Sequence, residues 1–192
     1  MNIKQNLINI KSTLPDYITL VAVSKTKPLS EIMEAYNAGQ RVFGENKIQE
    51  MTDKYEQLPK DIQWHMIGHV QRNKVKFMAS FVSLIHGVDN FKLLKEINKQ
   101  AKKHNRIISC LLQLKIASED SKFGMTLSEA ETIITSEEFS ELKYIAIKGV
   151  MGMATFTEDK KQIQQEFKNL KSIFKELKER ETENLKLETI SM

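Results

Sequence analysis

Residues 62–88, IQWHMIGHVQRNKVKFMASFVSLIHGV, contain the unit that decides the fold. Two short apolar runs, 62–67 and 82–88, flank a segment in which the apolar residues have helical spacing. Several of the apolar runs in the chain have apolar residues on both faces, as expected for parallel strands that are covered by helices on one side and face a barrel interior on the other. The segment therefore predicts a strand, a crossover helix and a second, parallel strand.

The same unit recurs along the chain. Predicted strands occupy residues 18–24, 40–43, 62–67, 82–88, 107–117, 144–151 and 185–192. Predicted helices occupy residues 2–14, a segment capped by Ser30 and ended by Gly39, residues 47–58 and 71–80, a segment from Asn90 to His104, one that begins near Ser128, and residues 159–180. Seven uninterrupted units, with no dinucleotide-binding glycine motif after the first strand, favour an α/β fold of the TIM-type (β/α)8 barrel class over an open doubly wound sheet.

A barrel of this class closes with eight strands, and the sequence provides about seven. An unclosed barrel leaves two parallel strand edges unpaired, which is costly for a domain of this size. We therefore expect residues 1–192 to form a single barrel domain that lacks a carboxyl-terminal segment.

Composition narrows the class of protein. The 192 residues are 41% hydrophobic and 28% charged, with only 7 Gly and 3 Pro, which excludes disordered, collagen-like and repeat proteins. The longest stretch without Asp, Glu, Lys or Arg, residues 77–88, is too short to cross a bilayer. The amino terminus has no unbroken apolar core of the signal-peptide kind. We expect a cytoplasmic protein without a membrane partner.

The charge pattern does not favour nucleic-acid binding, and the position of the single cysteine does not favour a nucleophilic thiol. The net charge is +4, and lysines alternate with glutamates along residues 160–181, as on a solvated helix face. A nucleic-acid partner is therefore not expected, although a nucleic-acid-binding or structural protein remains an alternative class. Cys110 lies in the apolar run 107–114, where a buried hydrophobic role is favoured over a nucleophilic thiol.

Polar side chains follow the predicted strands, at the end where barrels of this class carry their active face. Lys25 follows the apolar run 20–23, and desolvation at the barrel mouth would favour the neutral amine that attacks aldehydes. The alternative is an ammonium that simply reaches solvent at the rim, and Lys27 competes for either role. His65 and His69 are four residues apart, but this spacing suits a metal only on a helix. We expect His65, on a strand, to form hydrogen bonds in the cavity, with no metal site.

Several motifs, in order along the chain, resemble the pyridoxal phosphate homeostasis protein family. They are LVAVSKTKP at 20–28, FGEN at 43–46 with Gln49 and Glu50, WHMIG at 64–68, Gln71 with Asn73 and Lys74, SKFG at 121–124 and GVM at 149–151. The resemblance covers about residues 20–192. That family is similar in fold to the barrel domain of alanine racemases.

This resemblance implies pyridoxal 5′-phosphate (PLP) as the cofactor. It implies that Lys25, in the Ser-Lys-Thr-Lys motif, holds the cofactor as a Schiff base. It places Asn46 and His65 near the cofactor, and it makes Met151 part of the cavity wall, although core packing alone also explains a methionine there. Ser191 and Met192 resemble the start of a Ser-Met-Gly-Met-Ser-Gly-Asp stretch, so Ser191 is expected among the cofactor-binding residues.

The resemblance also implies a role in intracellular vitamin B6 homeostasis without established catalytic turnover. Such a protein buffers a reactive aldehyde and delivers it to PLP-dependent apoenzymes. The alternative is a PLP-dependent enzyme resembling an amino-acid racemase. Racemisation requires a second acid-base group on the opposite face of the substrate. Alanine racemases take that group from a separate β domain, for which 192 residues leave no room.

Overall fold

The computed structural model describes residues 2–119 and 123–192, and its centre is a seven-stranded sheet. The strands are β1 (Ala22–Val23), β2 (Val42–Glu45), β3 (Gln63–Met66), β4 (Leu84–Val88), β5 (Ile108–Leu114), β6 (Ile145–Gly152) and β7 (Leu185–Ser191). Each strand pairs in parallel with the next strand in the sequence. Sequential parallel order is the arrangement that crossover helices produce.

Helices connect the strands. They are α1 (Ile3–Ser12), α2 (Leu29–Asn37), α3 (Ile48–Gln57), a 3₁₀ helix (Arg72–Phe77), α4 (Phe91–Lys103), α5 (Leu127–Ile134), α6 (Glu137–Ser140) and α7 (Lys160–Lys178). Asn90 accepts a hydrogen bond from the Leu93 amide and caps α4 as expected, and Gly39 after α2 has a φ of 94°. Within the described residues, no helix is long and apolar enough to span a membrane.

The sheet curls as a barrel does. His86 on β4 and Ser191 on β7 are three strand positions apart, a separation of about 14 Å in a flat sheet. Nevertheless, the His86 Nδ1 and Ser191 Oγ atoms are 2.8 Å apart. The two side chains therefore meet across a concave face. The predicted α/β barrel class and its seven strands are confirmed.

The main core lies between the outer face of the sheet and the helices. Phe43 on β2 and Trp64 on β3 are register partners, and their ring centroids are 6.1 Å apart. Both side chains are buried, and they share the apolar core with Met51 of α3 and Leu93 and Ile97 of α4. This layer fixes the helices against the strands and leaves the strand ends available for polar side chains.

Three local expectations are wrong. Ser30 does not cap α2, because the helix begins one residue earlier and Pro28 precedes it, with a fixed φ of −70° that suits a helix start. Residues 71–80 contain a 3₁₀ helix instead of an α-helix; Val75 in this helix and Met78 directly after it are both buried and are three residues apart, the spacing of one turn of that helix type. The segment predicted to be one helix from Ser128 is divided into α5 and α6.

Strand β1 is also much shorter than predicted. Only Ala22 and Val23 form the ladder with β2. The Gln40 side-chain amide donates hydrogen bonds to the carbonyl oxygens of Leu20 and Val42, at 2.8 and 2.6 Å. A side chain thus satisfies the Leu20 carbonyl that a longer strand ladder would have used.

Candidate functional site

Lys25 lies in a tight turn directly after β1, at the carboxyl end of the sheet. The Lys27 amide donates to the Ser24 carbonyl oxygen at 3.0 Å, which closes the turn, and Thr26 has a φ of 62°. The Lys25 side chain is exposed, and none of the described residues, 2–119 and 123–192, is a hydrogen-bond or ion-pair partner of its amine. The turn therefore presents an amine that is available for chemistry.

Three charged side chains lie behind this turn, and we call Glu45, Glu50 and Lys54 the charge cluster. The Lys54 ammonium is 2.7 Å from Glu45 Oε1 and 2.7 Å from Glu50 Oε1. The hydrogen bond from Lys54 holds the pKa of Glu50 below its usual range, against the opposing effect of burial. Glu45 is fully buried, and its Oε2 atom has no hydrogen-bond partner among the described residues.

A hydrogen-bonded chain of His65, His86 and Ser191 crosses the concave face. His65 Nδ1 is 3.0 Å from His86 Nε2, and His86 Nδ1 is 2.8 Å from Ser191 Oγ. Burial lowers the pKa of His65 to about 4 and, together with the neighbouring His65, that of His86 to about 3. Both imidazoles are therefore uncharged at neutral pH.

A neutral imidazole carries one N–H, so the protons along this chain run in one of two directions. If His65 Nδ1 donates to His86, then His65 Nε2 is an acceptor. If the Ser191 hydroxyl starts the chain by donating to His86 Nδ1, then His65 Nε2 carries the proton and is a donor. The chain thus offers a ring nitrogen that can either accept or donate without a change of charge.

The other predicted site residues lie around the same edge of the sheet. Met151 is buried on β6 and is the register partner of Ser191 on β7. Asn46 follows β2 and is half-buried. Its backbone packs against Gly68, where an added Cβ would lie 2.5 Å from the Asn46 carbonyl oxygen. This close approach brings the ends of β2 and β3 together.

The structure brings some of the predicted residues together and leaves others apart. His65 and Ser191 are connected through His86, and Met151 is beside Ser191 in the sheet. Within the described part of the chain, Lys25 has no hydrogen bond to any of them. The predicted motif residues Ser121 and Lys122 lie outside the described residues.

Sequence reasoning missed His86 and the charge cluster as functional candidates. The available signal for His86 was its position: it lies in the carboxyl-terminal half of β4, two residues before the strand ends, as His65 lies near the end of β3. The signal for the cluster was the i, i+4 pair of Glu50 and Lys54 on α3, behind the strand that ends at Glu45.

His69 and Cys110 have other surroundings. His69 is exposed; its Nδ1 atom is 3.3 Å from Asp89 Oδ2, and its ring stacks on Phe123 with centroids 4.4 Å apart. Cys110 is fully buried on β5, and burial raises the pKa of its thiol. The predicted hydrophobic role of Cys110 fits this environment.

Known proteins are similar to this chain in both sequence and fold. The family model for the N-terminal domain of alanine racemase matches residues 1–192. A pyridoxal phosphate homeostasis protein of Pasteurella multocida is 31% identical over 100% of this chain and 87% of its own length. The corresponding protein of Vibrio alginolyticus is 32% identical over 100% of this chain and 86% of its own. The chain belongs to the pyridoxal phosphate homeostasis protein family.

Solved structures agree with this membership. PipY of Synechococcus elongatus, solved without PLP, is 31% identical to this chain and superimposes on it with a TM-score of 0.92. The match covers 99% of this chain and 88% of PipY. PipY with PLP bound has a TM-score of 0.88 at 30% identity, with the same shares covered. An alanine racemase of Clostridium difficile has a TM-score of 0.77 at 16% identity over 97% of this chain and 50% of the racemase, which shows a shared fold.

The side chains at this edge of the sheet suit the aldehyde and the ring of a pyridine aldehyde. An exposed primary amine on a closed turn matches an aldehyde, and uncharged imidazoles and a hydroxyl match the hydrogen-bonding groups of a pyridine ring. All of these groups lie at the carboxyl ends of parallel strands, where barrel proteins hold their ligands.

Proposed function

We propose that this protein binds PLP at the carboxyl-terminal face of its sheet and holds the cofactor reversibly on Lys25. One observation carries the proposal. The turn of Lys25 and the neutral chain of His65, His86 and Ser191 occur together in a fold that matches PLP-bound PipY with a TM-score of 0.88.

Lys25 is the proposed attachment residue. When bound, the cofactor supplies an aldehyde that condenses with a lysine amine and releases water. Lys25 is exposed, its amine has no competing carboxylate among the described residues, and its turn is closed by a backbone hydrogen bond. Lys27, the competing lysine, lies before α2 and instead forms an ion pair at 3.2 Å with Glu31 in the first turn of that helix.

The remaining proposed contacts come from five side chains. His65 and His86 offer neutral ring nitrogens, and Ser191 offers a hydroxyl at the far end of the same chain. Met151 supplies an apolar wall, and Asn46 an amide at the end of β2. Uncharged partners of this kind can orient a ring without adding to or neutralising its charge.

We further propose that the protein is a cytoplasmic reservoir that passes PLP to apoenzymes and does not turn over a substrate. The names of the relatives support homeostasis over catalysis. The alternative is a racemase-like enzyme, since alanine racemase has the same fold. Racemisation uses two acid-base groups on opposite faces of the substrate, and the two buried imidazoles here are linked to one another in a single chain.

An absorbance titration with PLP tests the binding proposal. The wild-type protein and a Lys27→Ala variant are expected to change the visible spectrum of the cofactor in a saturable manner. A Lys25→Ala variant is expected to leave that spectrum unchanged. An identical spectral change in Lys25→Ala and wild type would show that attachment occurs elsewhere. Loss of the change in Lys27→Ala alone would transfer the role to Lys27.

A further inference from the structure

We propose that Glu50 and Lys54 are positioning residues for Lys25, which they fix through the backbone on both sides of it. This inference rests on the proposed role of Lys25 in holding PLP. In the described part of the chain, neither side chain forms a hydrogen bond or an ion pair with the Lys25 side chain. Both act on the peptide groups that precede and follow it, from the far side of the turn.

Lys54 holds the peptide group before Lys25. Its ammonium donates to the Ser24 carbonyl oxygen at 2.7 Å, and that carbonyl belongs to the peptide bond between Ser24 and Lys25. The other two donated hydrogen bonds go to Glu45 and Glu50, each at 2.7 Å. An ammonium has three N–H groups, so all three are used. With 7% of its side chain exposed, Lys54 has little contact with solvent.

Glu50 holds the peptide group after Lys25. Its Oε1 atom accepts from the Thr26 amide at 2.5 Å, and that amide belongs to the peptide bond between Lys25 and Thr26. Thr26 has a φ of 62°, in the left-handed region that β-branched residues rarely adopt. The hydrogen bond to a charged acceptor supports this conformation where the sequence provides no glycine.

Glu45 completes the arrangement from the neighbouring strand. Its Oε1 atom accepts from the Ser24 hydroxyl at 2.6 Å as well as from Lys54. The end of β1, the end of β2 and helix α3 are thus connected at a single ammonium. Because the peptide groups on both sides of Lys25 are held, the direction in which its side chain leaves the turn is fixed.

A fixed starting direction matters for the rate of attachment more than for the affinity of the pocket. An exposed lysine on a mobile turn would sample many directions, and a misplacement of the reacting atom by about 1 Å can cost about a hundredfold in rate. Non-covalent contacts of the ring and phosphate do not depend on that direction. The charge cluster should therefore influence the capture of the aldehyde and not the binding of an analogue that lacks it.

The Glu50→Ala variant tests the inference, because the rate of attachment and the affinity for an analogue can be measured separately in it. Stopped-flow absorbance measures the rate of attachment of PLP, and calorimetry measures the affinity for pyridoxine 5′-phosphate, which carries an alcohol instead of the aldehyde. We expect Glu50→Ala to slow attachment by about tenfold or more and to change the affinity for the analogue by less than about twofold.

Matched variants control for a general loss of structure. Glu56→Ala removes an exposed glutamate from the same helix and should behave as wild type. Glu50→Gln retains an oxygen that can accept from Thr26 and should recover most of the rate that is lost in Glu50→Ala. Far-ultraviolet circular dichroism confirms that each variant is folded.

Each other result overturns the inference in a recognisable way. An unchanged attachment rate in Glu50→Ala means that the turn needs no support from α3. An equal loss of rate and of analogue affinity means that the cluster maintains the whole site and not Lys25. If the wild-type protein attaches PLP at no lysine, or at a lysine other than Lys25, then the proposed function fails first and the inference fails with it.

Discussion

Acidification should destabilise this protein through the two buried histidines. The pKa of His65 is about 4 and that of His86 about 3 in the folded protein, against 6.5 for an ordinary histidine. As pH falls below 6.5, the two imidazoles bind protons in the unfolded chain but stay unprotonated in the folded protein. The free energy of unfolding is therefore unaffected by this pair above that pH and decreases below it.

The expected size follows from these values. Each proton that only the unfolded chain binds lowers the free energy of unfolding by about 1.4 kcal/mol per pH unit. The pair therefore reduces the free energy of unfolding by about 4 kcal/mol between neutral pH and about pH 5. A loss of this size is a large part of the roughly 5–15 kcal/mol that stabilises a typical domain. The carboxyl group of Glu50, whose pKa is lowered, contributes little across this interval, because its stabilising effect is lost mainly below the ordinary pKa of a glutamate.

Urea unfolding at several pH values measures this effect. Trp64 is the only tryptophan and is fully buried, so its fluorescence reports the loss of the core. The double variant His65→Asn/His86→Gln has amides that form hydrogen bonds but do not titrate, and it should lose most of the pH dependence. A wild-type stability that is constant from neutral pH to about pH 5, or an equally steep decrease in the double variant, would show that these histidines are not the source of acid sensitivity.

Four further outcomes are expected. Gly149→Ala should lower the free energy of unfolding by about 3 kcal/mol or more, measured with urea, because its Cβ would lie 1.8 Å from the Thr189 carbonyl oxygen on β7. Lys54→Met should cost about 3–5 kcal/mol in the same assay, because it leaves the fully buried Glu45 without its cation. Cys110 should react with Ellman's reagent only after unfolding, since burial raises the pKa of its thiol. Alanine incubated with the PLP-loaded protein in deuterated buffer should keep its α-proton by NMR, and rapid exchange would favour the racemase-like alternative.

The order of the strands was predictable because each unit carries its own local signal. Apolar runs that alternate with helical spacing specify a strand and its following helix without reference to distant residues. Parallel pairing of consecutive strands then follows from the crossover geometry alone. One local error, the length of β1, arose where a side chain replaced a backbone partner, because the Gln40 side chain donates to the Leu20 carbonyl oxygen.

The site was predictable only in part, because its contacts join residues that are far apart in sequence. Lys25 and His65 were selected from their positions at strand ends and from a family resemblance. His86 bonds to Ser191, 105 residues away, and no local pattern specifies that pair. Glu50 and Lys54 have the spacing of a solvent-exposed helix pair, and only their packing against the strand ends shows that they are a buried cluster.

The central claim, that PLP is held on Lys25, is tested most directly by chemical trapping. Sodium borohydride converts the bond between the amine and the aldehyde carbon into a stable secondary amine, and peptide mapping then locates the added pyridoxyl group. We expect one modified peptide, labelled at Lys25, and the same label in Lys27→Ala. A label at Lys27 or spread over several surface lysines, or no label after saturation with PLP, would contradict the central claim.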